Sequence, residues 1–291
     1  MGEFQFVQLA DTQLGVLRWW NEIAEKRRPA MTERLRARSL IPFDAELPPA
    51  RAELTDFAIE SGRFETAIEI VNHLEPKFVA VCGDIVNDLG DGPQREAALR
   101  IAGGLSPDIP MHWVPGNHDV CPDYLTPTPD GLQEFRSRFG DDYYSFEADE
   151  TLFLVLNSET LNQPEHTPGE AERQLEFVRE TLASERARNA QHVIAFMHTP
   201  LFTHDPETDD FGVMSLENRL RLLSILTDHE VEASFAGHLH LNRNAQARGM
   251  QMVTSGAVGM PFWGEPGYRL VDVTDHGISH QYHALETPTA T

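Results

Sequence analysis

Phe78-Val79-Ala80-Val81-Cys82-Gly83-Asp84-Ile85-Val86-Asn87, residues 78–87, decides the fold. Its first five residues are apolar, rich in β-branched and aromatic types and too few for a helix, so they read as a strand buried on both faces. Gly83 ends the run and polar Asp84 and Asn87 follow at once. Outward from this stretch the same phrase repeats. Phe4-Gln5-Phe6-Val7-Gln8-Leu9 reads as an alternating strand followed by Asp11 and Gln13; Met111-His112-Trp113-Val114 is followed by Gly116-Asn117-His118-Asp119. Residues 193–197 form a buried strand followed by His198, and residues 232–236 one followed by Gly237-His238-Leu239-His240. In parallel-rich sheets the carboxyl ends of strands share one edge, where ligands bind. Five strands that each end in a metal-capable side chain are therefore one constellation, although any single histidine is more often a packed or surface residue.

Between these strands the periodicity is helical. Phe57, Ile59, Ala67, Ile70, Val71 and Leu74 predict a helix over 56–75, and Leu216, Leu220, Leu223 and Leu226 another over 215–229. Thr167-Pro168-Gly169-Glu170 has the form of a capping box with proline at the first helical position, before an apolar stripe of Ala171, Leu175, Val178 and Leu182. Residues 143–148 and 151–156 flank Asp149-Glu150 as a hairpin, and short strands between Gly and Pro turns dominate from 244 onward. Alternation first and clustered strands late predict an α/β sandwich with mixed sheets. The whole chain, 1–291, reads as one domain, with a substrate-side insertion over 26–55 and a disordered tail over 287–291.

The chain carries 46 acidic against 23 basic residues, a formal net charge of −23 with histidines neutral. An acidic excess of this size disfavours extended contact with nucleic-acid backbones and with anionic membranes. Its longest apolar runs fall far short of the roughly 20 residues a membrane helix needs. Two cysteines, Cys82 and Cys121, exclude a disulfide scaffold and read as buried free thiols. Met1-Gly2-Glu3-Phe4-Gln5-Phe6 has no secretory character, so a cytoplasmic location is expected.

Asp, Asn and His without a thiolate suit a borderline dication such as Mn, Fe or Zn and oppose a closed structural zinc site. Seven donors are too many for one ion. Two ions about 3.5–4 Å apart could share a carboxylate and clamp an anionic substrate. Two dications bring +4 to a centre where Asp11 and Asp84 contribute −2, a positive well inside an acidic protein. A phosphate group is its natural guest.

In order, Asp11-Thr12-Gln13, Gly83-Asp84-Ile85-Val86-Asn87, Gly116-Asn117-His118-Asp119, His198 and Gly237-His238-Leu239-His240 resemble the signature of calcineurin-like metallophosphoesterases. Ala10 to Gly15, Leu154 to Ser158, His198 to Phe202, and Val258-Gly259 before Arg269-Leu270-Val271 are similar to a subfamily of calcineurin-like phosphoesterase-domain serine/threonine phosphatases. The resemblance implies a four-layer α/β/β/α sandwich, two divalent or mixed-valence ions, and hydrolysis of phosphomonoesters, with phosphoserine or phosphothreonine in protein as the substrate class. Phosphodiester or cyclic-nucleotide hydrolysis is the alternative, and a non-catalytic interaction module of the same fold a third reading. Asp11 and His240 would bind the first ion, with Gln13 beside them; Asn117, His198 and His238 would bind the second, and Asp84 would bridge. His118 would protonate the leaving oxygen, supported from behind by Asn87 and Asp119.

This chain departs from the superfamily at two positions. Gln13 stands where most members have histidine, and a carboxamide is the poorer ligand. Asn87 stands where calcineurin-type protein phosphatases proper carry an aspartate that orients the catalytic histidine, so His118 would turn to Asp88 or Asp119; a turn-capping residue is the plainer reading of Asn87. Lys26, Arg27, Arg28, Arg34, Arg36 and Arg38 read as a solvated helix face or a phosphate-side patch. Asp205, Glu207, Asp209 and Asp210 read as an acidic lid or an acidic surface loop, and Trp263 as a core or loop anchor or as a ring packed on a substrate face.

Overall fold

The computed structural model describes residues 3–37, 41, 44–47, 56–208 and 210–285. The 287–291 tail and much of the 26–55 segment lie outside them. The first half runs β1 (Phe4–Leu9), α1 (Val16–Ala37), α2 (Ala58–Leu74), β2 (Val79–Cys82), α3 (Gly92–Ala102), β3 (Met111–Val114), α4 (Asn117–Val120) and α5 (Pro129–Phe139). There follow β4 (Tyr144–Ala148), β5 (Thr151–Val155), α6 (Ser158–Asn162), α7 (Glu170–Leu182), α8 (Glu185–Asn189), β6 (His192–Phe196), α9 (Leu216–Asp228) and β7 (Ala233–Ala236). The chain closes with β8 (Arg243–Ala247), β9 (Met250–Thr254), β10 (Gly267–Thr274) and β11 (Gly277–Ala284).

Two mixed sheets form, in the orders β11-β10-β1-β2-β3 and β4-β5-β6-β7-β9-β8. In the first, β1, β2 and β3 are parallel and β10 returns antiparallel beside β1. In the second, β5, β6, β7 and β9 are parallel, with β4 and β8 antiparallel at the edges. Helices cover the outer face of each. Phe64, Ala67 and Val71 of α2 with Ala98 of α3 pack on Val7, Leu9, Val79 and Val81, while Leu175 and Val178 of α7 with Leu223 and Leu226 of α9 pack on Leu154 and Ala195. The result is the expected α/β/β/α sandwich.

Between the sheets lies an aromatic layer. Phe6 stacks on Phe78 at 4.8 Å and meets Phe153, Phe196 and Phe235 of the other sheet edge-on at 5.5–5.7 Å. Truncating Phe6 to alanine would open a cavity between two rigid layers and cost about 3–5 kcal/mol. The layer also changes how β1 is read. Gln8 is polar within an alternating strand, yet it shares the inter-sheet face of Phe4 and Phe6 and is fully buried, its amide donating to the Ala236 carbonyl (2.9 Å) and accepting from Ser255 (2.6 Å). As a central strand β1 is exposed at Gln5 and buried from Phe6 to Leu9, and its buried polar position serves as an inter-sheet hydrogen bond.

A second correction concerns α7. The helix starts at Glu170, after Gly169 in a left-handed conformation, and Thr167 caps nothing: its hydroxyl is buried without a partner. Glu170 turns to Arg136 and Arg173 in place of the reciprocal capping contact. The apolar stripe placed the helix correctly, and tertiary ion pairing took the capping glutamate.

Candidate metal centre

Because β1, β2 and β3 run parallel, and β6 and β7 likewise, the loops after all five strands meet at one edge of the sandwich. Main-chain geometry there is demanding. Asp11, Gln13, Asp84, His238 and His240 all have φ between 35° and 70°. Non-glycine residues in the left-handed region cost about 1–3 kcal/mol each, and such strain concentrates where side chains must be aimed. The motif glycines permit close approach: a Cβ on Gly83, itself at φ +77°, would stand 2.3 Å from His198 Nδ1, and one on Gly237 would stand 2.6 Å from Asp11 Oδ2.

The sequence-predicted ligands fall into two groups that share Asp84. Asp84, His198 and His238 form one, and Asp11, Asp84 and His240 the other, the ligand atoms within each lying within 4.8 Å of one another. Around His198 Nε2 stand Asn117 Oδ1 at 3.1 Å, His238 Nδ1 at 3.2 Å and Asp84 Oδ1 at 3.3 Å. In the second group His240 Nε2 lies 3.3 Å from Asp11 Oδ1.

Two ring orientations are fixed from behind by main chain. His198 Nδ1 meets the Cys82 carbonyl at 2.9 Å and His240 Nδ1 meets the Met260 carbonyl. A carbonyl can only accept, so each Nδ1 carries a hydrogen and Nε2 is the nitrogen that each ring turns to the centre.

The carboxamide oxygen of Gln13 is buried and has no hydrogen-bond partner, while its nitrogen faces Asn87 Oδ1 at 3.5 Å. A buried acceptor left bare, two residues along the chain from Asp11, is the kind of group a cation would satisfy. The donor set of carboxylate, amide and imidazole also fits a divalent ion of the borderline class.

The charges are strongly interdependent. Burial opposes ionisation of Asp84, but the imidazoles of His198 and His118 outweigh it and hold its carboxyl below the usual range. Burial likewise opposes a charged His198, and the Asp84 carboxylate overrides it, carrying His198 up to about 10. Burial and the neighbouring His198 hold His238 down to about 3.

Behind the ligands the partners differ from expectation. His118 Nδ1 meets the main-chain carbonyl of Asn87 at 2.7 Å, and neither Asp88 nor Asp119 serves it. The Asp119 carboxylate instead gathers the N–H groups of Ile85 (3.0 Å) and Gly116 (2.9 Å), fastening two motif loops together. Burial and the charge of Asp84 push Asp119 up to about 8, against these donors. Asn87 does not cap the following helix either: Asp91 caps α3.

The other sequence features take plainer roles. Asp205 closes its own turn onto Glu207 N–H and Thr208, Asp210 accepts from Thr203, and fully buried Arg219 ties the loop down through the carbonyls of Pro206 and Thr208. Asp209 lies outside the described residues. Most of the basic cluster belongs to α1, where the side chains of Lys26, Arg27 and Arg34, and Arg38 entirely, lie outside them too. Trp263 is not a core anchor: it is 48% exposed, and its neighbour Phe262 stacks on His240 at 4.7 Å. Both cysteines are buried, and burial pushes both thiols up.

Ser158 and Glu159 were missed as supports. The Ser158 hydroxyl accepts from the N–H groups of His198 and Thr199, and buried Glu159 accepts from Ser158 and Thr199. The strand before them was legible, whereas a glutamate that turns inward looks in sequence like any surface acid.

The calcineurin-like phosphoesterase family profile matches residues 4–242. The human serine/threonine-protein phosphatase CPPED1 is 35% identical over 231 residues, covering 76% of this chain and 73% of that protein. The protein of that name from Danio rerio is 31% identical over 293 residues, 98% of this chain and 86% of its own. A solved dimetal phosphatase from Danio rerio superposes with a TM-score of 0.56 at 16% identity, covering 97% of this chain and 99% of that one, a likeness of fold.

Proposed function

The chain belongs to the calcineurin-like phosphoesterase family and is a metal-dependent phosphatase, and from that premise we propose that it hydrolyses phosphomonoesters, with phosphoserine and phosphothreonine in protein as its substrate class. The observation that carries this reading is the pair of ligand groups joined by Asp84. Asp11, Gln13 and His240 would hold one Mn, Fe or Zn ion, Asn117, His198 and His238 the second, and Asp84 both. When bound, such ions neutralise phosphate oxygens and activate water for attack on phosphorus.

The protein's own groups do the rest. With its Nδ1 hydrogen engaged by the Asn87 carbonyl, His118 is left with Nε2 as the nitrogen that exchanges a proton. An alkoxide leaving from phosphorus needs that proton, and an imidazole Nε2 within reach can supply it as a general acid. Asp84 accepts the main-chain N–H of His118 at 2.9 Å, so the residue that joins the two ligand groups also sets the position of the acid. Among the described residues no helix is long and apolar enough to cross a membrane. The substrate names of the relatives support the phosphoprotein reading. A panel of p-nitrophenyl phosphate, bis(p-nitrophenyl) phosphate and a phosphoserine peptide tests it. Monoester and peptide should be hydrolysed faster than the diester; the reverse order would make the protein a phosphodiesterase.

A further inference from the structure

Tyr124 lies in the loop after α4, its ring half-exposed. Its backbone is left-handed, with φ +64°. Two contacts fix that conformation: Asp123 Oδ1 accepts the N–H groups of Leu125 (3.0 Å) and Thr126 (2.6 Å), and the Tyr124 N–H donates to the Cys121 carbonyl at 2.9 Å. The bend points both ends of Tyr124 at the candidate site. Its carbonyl accepts from Asn117 Nδ2 at 3.0 Å, so the amide oxygen of Asn117 faces His198. Its ring lies over His118, centroids 4.6 Å apart and planes 25° from parallel, while Trp19 of α1 meets both rings edge-on at 5.7 and 5.9 Å.

Among the described residues, the His118 ring otherwise has the hydrogen bond from Nδ1 to Asn87 O and the Trp19 edge, neither of which covers its face. One bond fixes a point and leaves the ring free to swing about it; an aromatic face against the imidazole removes that freedom. We propose that Tyr124 is a positioning residue for phosphoester cleavage, its ring fixing the plane of His118 and its carbonyl fixing which end of the Asn117 amide faces the metal position. This rests on the roles given above to His118 and Asn117. The two contacts separate cleanly in variants, because every substitution of the side chain keeps the carbonyl. The half-exposed ring lies outside the hydrophobic core clusters.

The experiment compares wild type, Tyr124→Phe, Tyr124→Leu, His118→Asn and the double variant Tyr124→Leu/His118→Asn. Each is assayed on p-nitrophenyl phosphate and on a phosphoserine peptide, with metal content measured alongside. Tyr124→Leu should lower kcat on the peptide about tenfold, with KM within about twofold and metal content unchanged, and should lower it less on the aryl ester, whose leaving group needs less protonation. Tyr124→Phe should restore wild-type turnover, and Tyr124→Leu should add nothing in the His118→Asn background. Equal losses on both substrates, a KM effect alone, or full additivity with His118→Asn would overturn the positioning role. If His118→Asn itself turned over the peptide normally, the acid assignment and with it this inference would fall; a strong His118→Asn loss with a silent Tyr124→Leu would sink the inference alone.

Discussion

The two sheets bring different chemistry to their common edge. Loops after β1, β2 and β3 carry Asp11, Gln13, Asp84 and Asn117, all oxygen donors, whereas loops after β6 and β7 carry His198, His238 and His240, all nitrogen donors. Neither sheet holds a complete set, and the pairs that span them, Asp84 with His198 and Asp11 with His240, both stand at 3.3 Å. The site is therefore a product of sheet packing. Its geometry depends on the Phe6, Phe78, Phe153, Phe196 and Phe235 layer as much as on the loops. The division also makes a proton and a metal ion competitors for the His198 nitrogen that faces the Asp84 carboxylate.

The harshest way to break the comparison is to remove the oxygen residue common to both ligand groups. Asp84→Asn should take activity to background and leave less than one ion per chain. His118→Asn, by contrast, should retain its metal and lose about 10²–10⁴ in turnover, most on substrates with poor leaving groups. Elemental analysis beside turnover separates the two, and an empty site in His118→Asn with a full one in Asp84→Asn would invert the assignment.

A milder perturbation is pH. His198, carried up to about 10 with Asp84 as its partner after burial is overcome, is protonated at neutrality, while His238, held down to about 3, is not. A ligand must be deprotonated to bind metal, so uptake at the His198 group should release one proton, and apparent Mn²⁺ affinity should rise by about tenfold per pH unit below 10. Calorimetry in two buffers of different ionisation enthalpy counts that proton; an affinity flat from about pH 6 to 8 would contradict the account.

Gln13→His sharpens the comparison with the smallest effect. It places a nitrogen donor among the oxygens of the first sheet, where a carboxamide now offers one bare oxygen. Imidazole is the stronger ligand, so the metal concentration giving half-maximal activity should fall several-fold. No change in a metal titration would mean that the Gln13 oxygen already serves fully or does not face an ion.

Much of this arrangement was legible in the sequence, for an identifiable reason. Buried strands such as Phe78 to Cys82 announce themselves by composition, and a ligand directly after a strand inherits the position of the sheet edge. Side chains whose partners come from remote segments were not legible. The sequence of β1 does not show that Gln8 meets Ala236 and Ser255 across the sheets, and Glu170 looked like a cap until Arg136 claimed it. The support of His118 from the Asn87 main chain could not be read from side-chain identity at all. The same holds for the rings of Tyr124 and Phe262, which meet their imidazoles only through the loop paths.

The central claim is that two ions bind where the oxygen and nitrogen sets meet and that hydrolysis depends on them. Exhaustive chelation of the purified protein, followed by stepwise Mn²⁺ addition with bound metal and p-nitrophenyl phosphate hydrolysis read together, tests it most directly. Activity should vanish with the metal and return as occupancy approaches two ions per chain. Hydrolysis that persists after verified metal removal, or full activity restored with no bound ion, would contradict it.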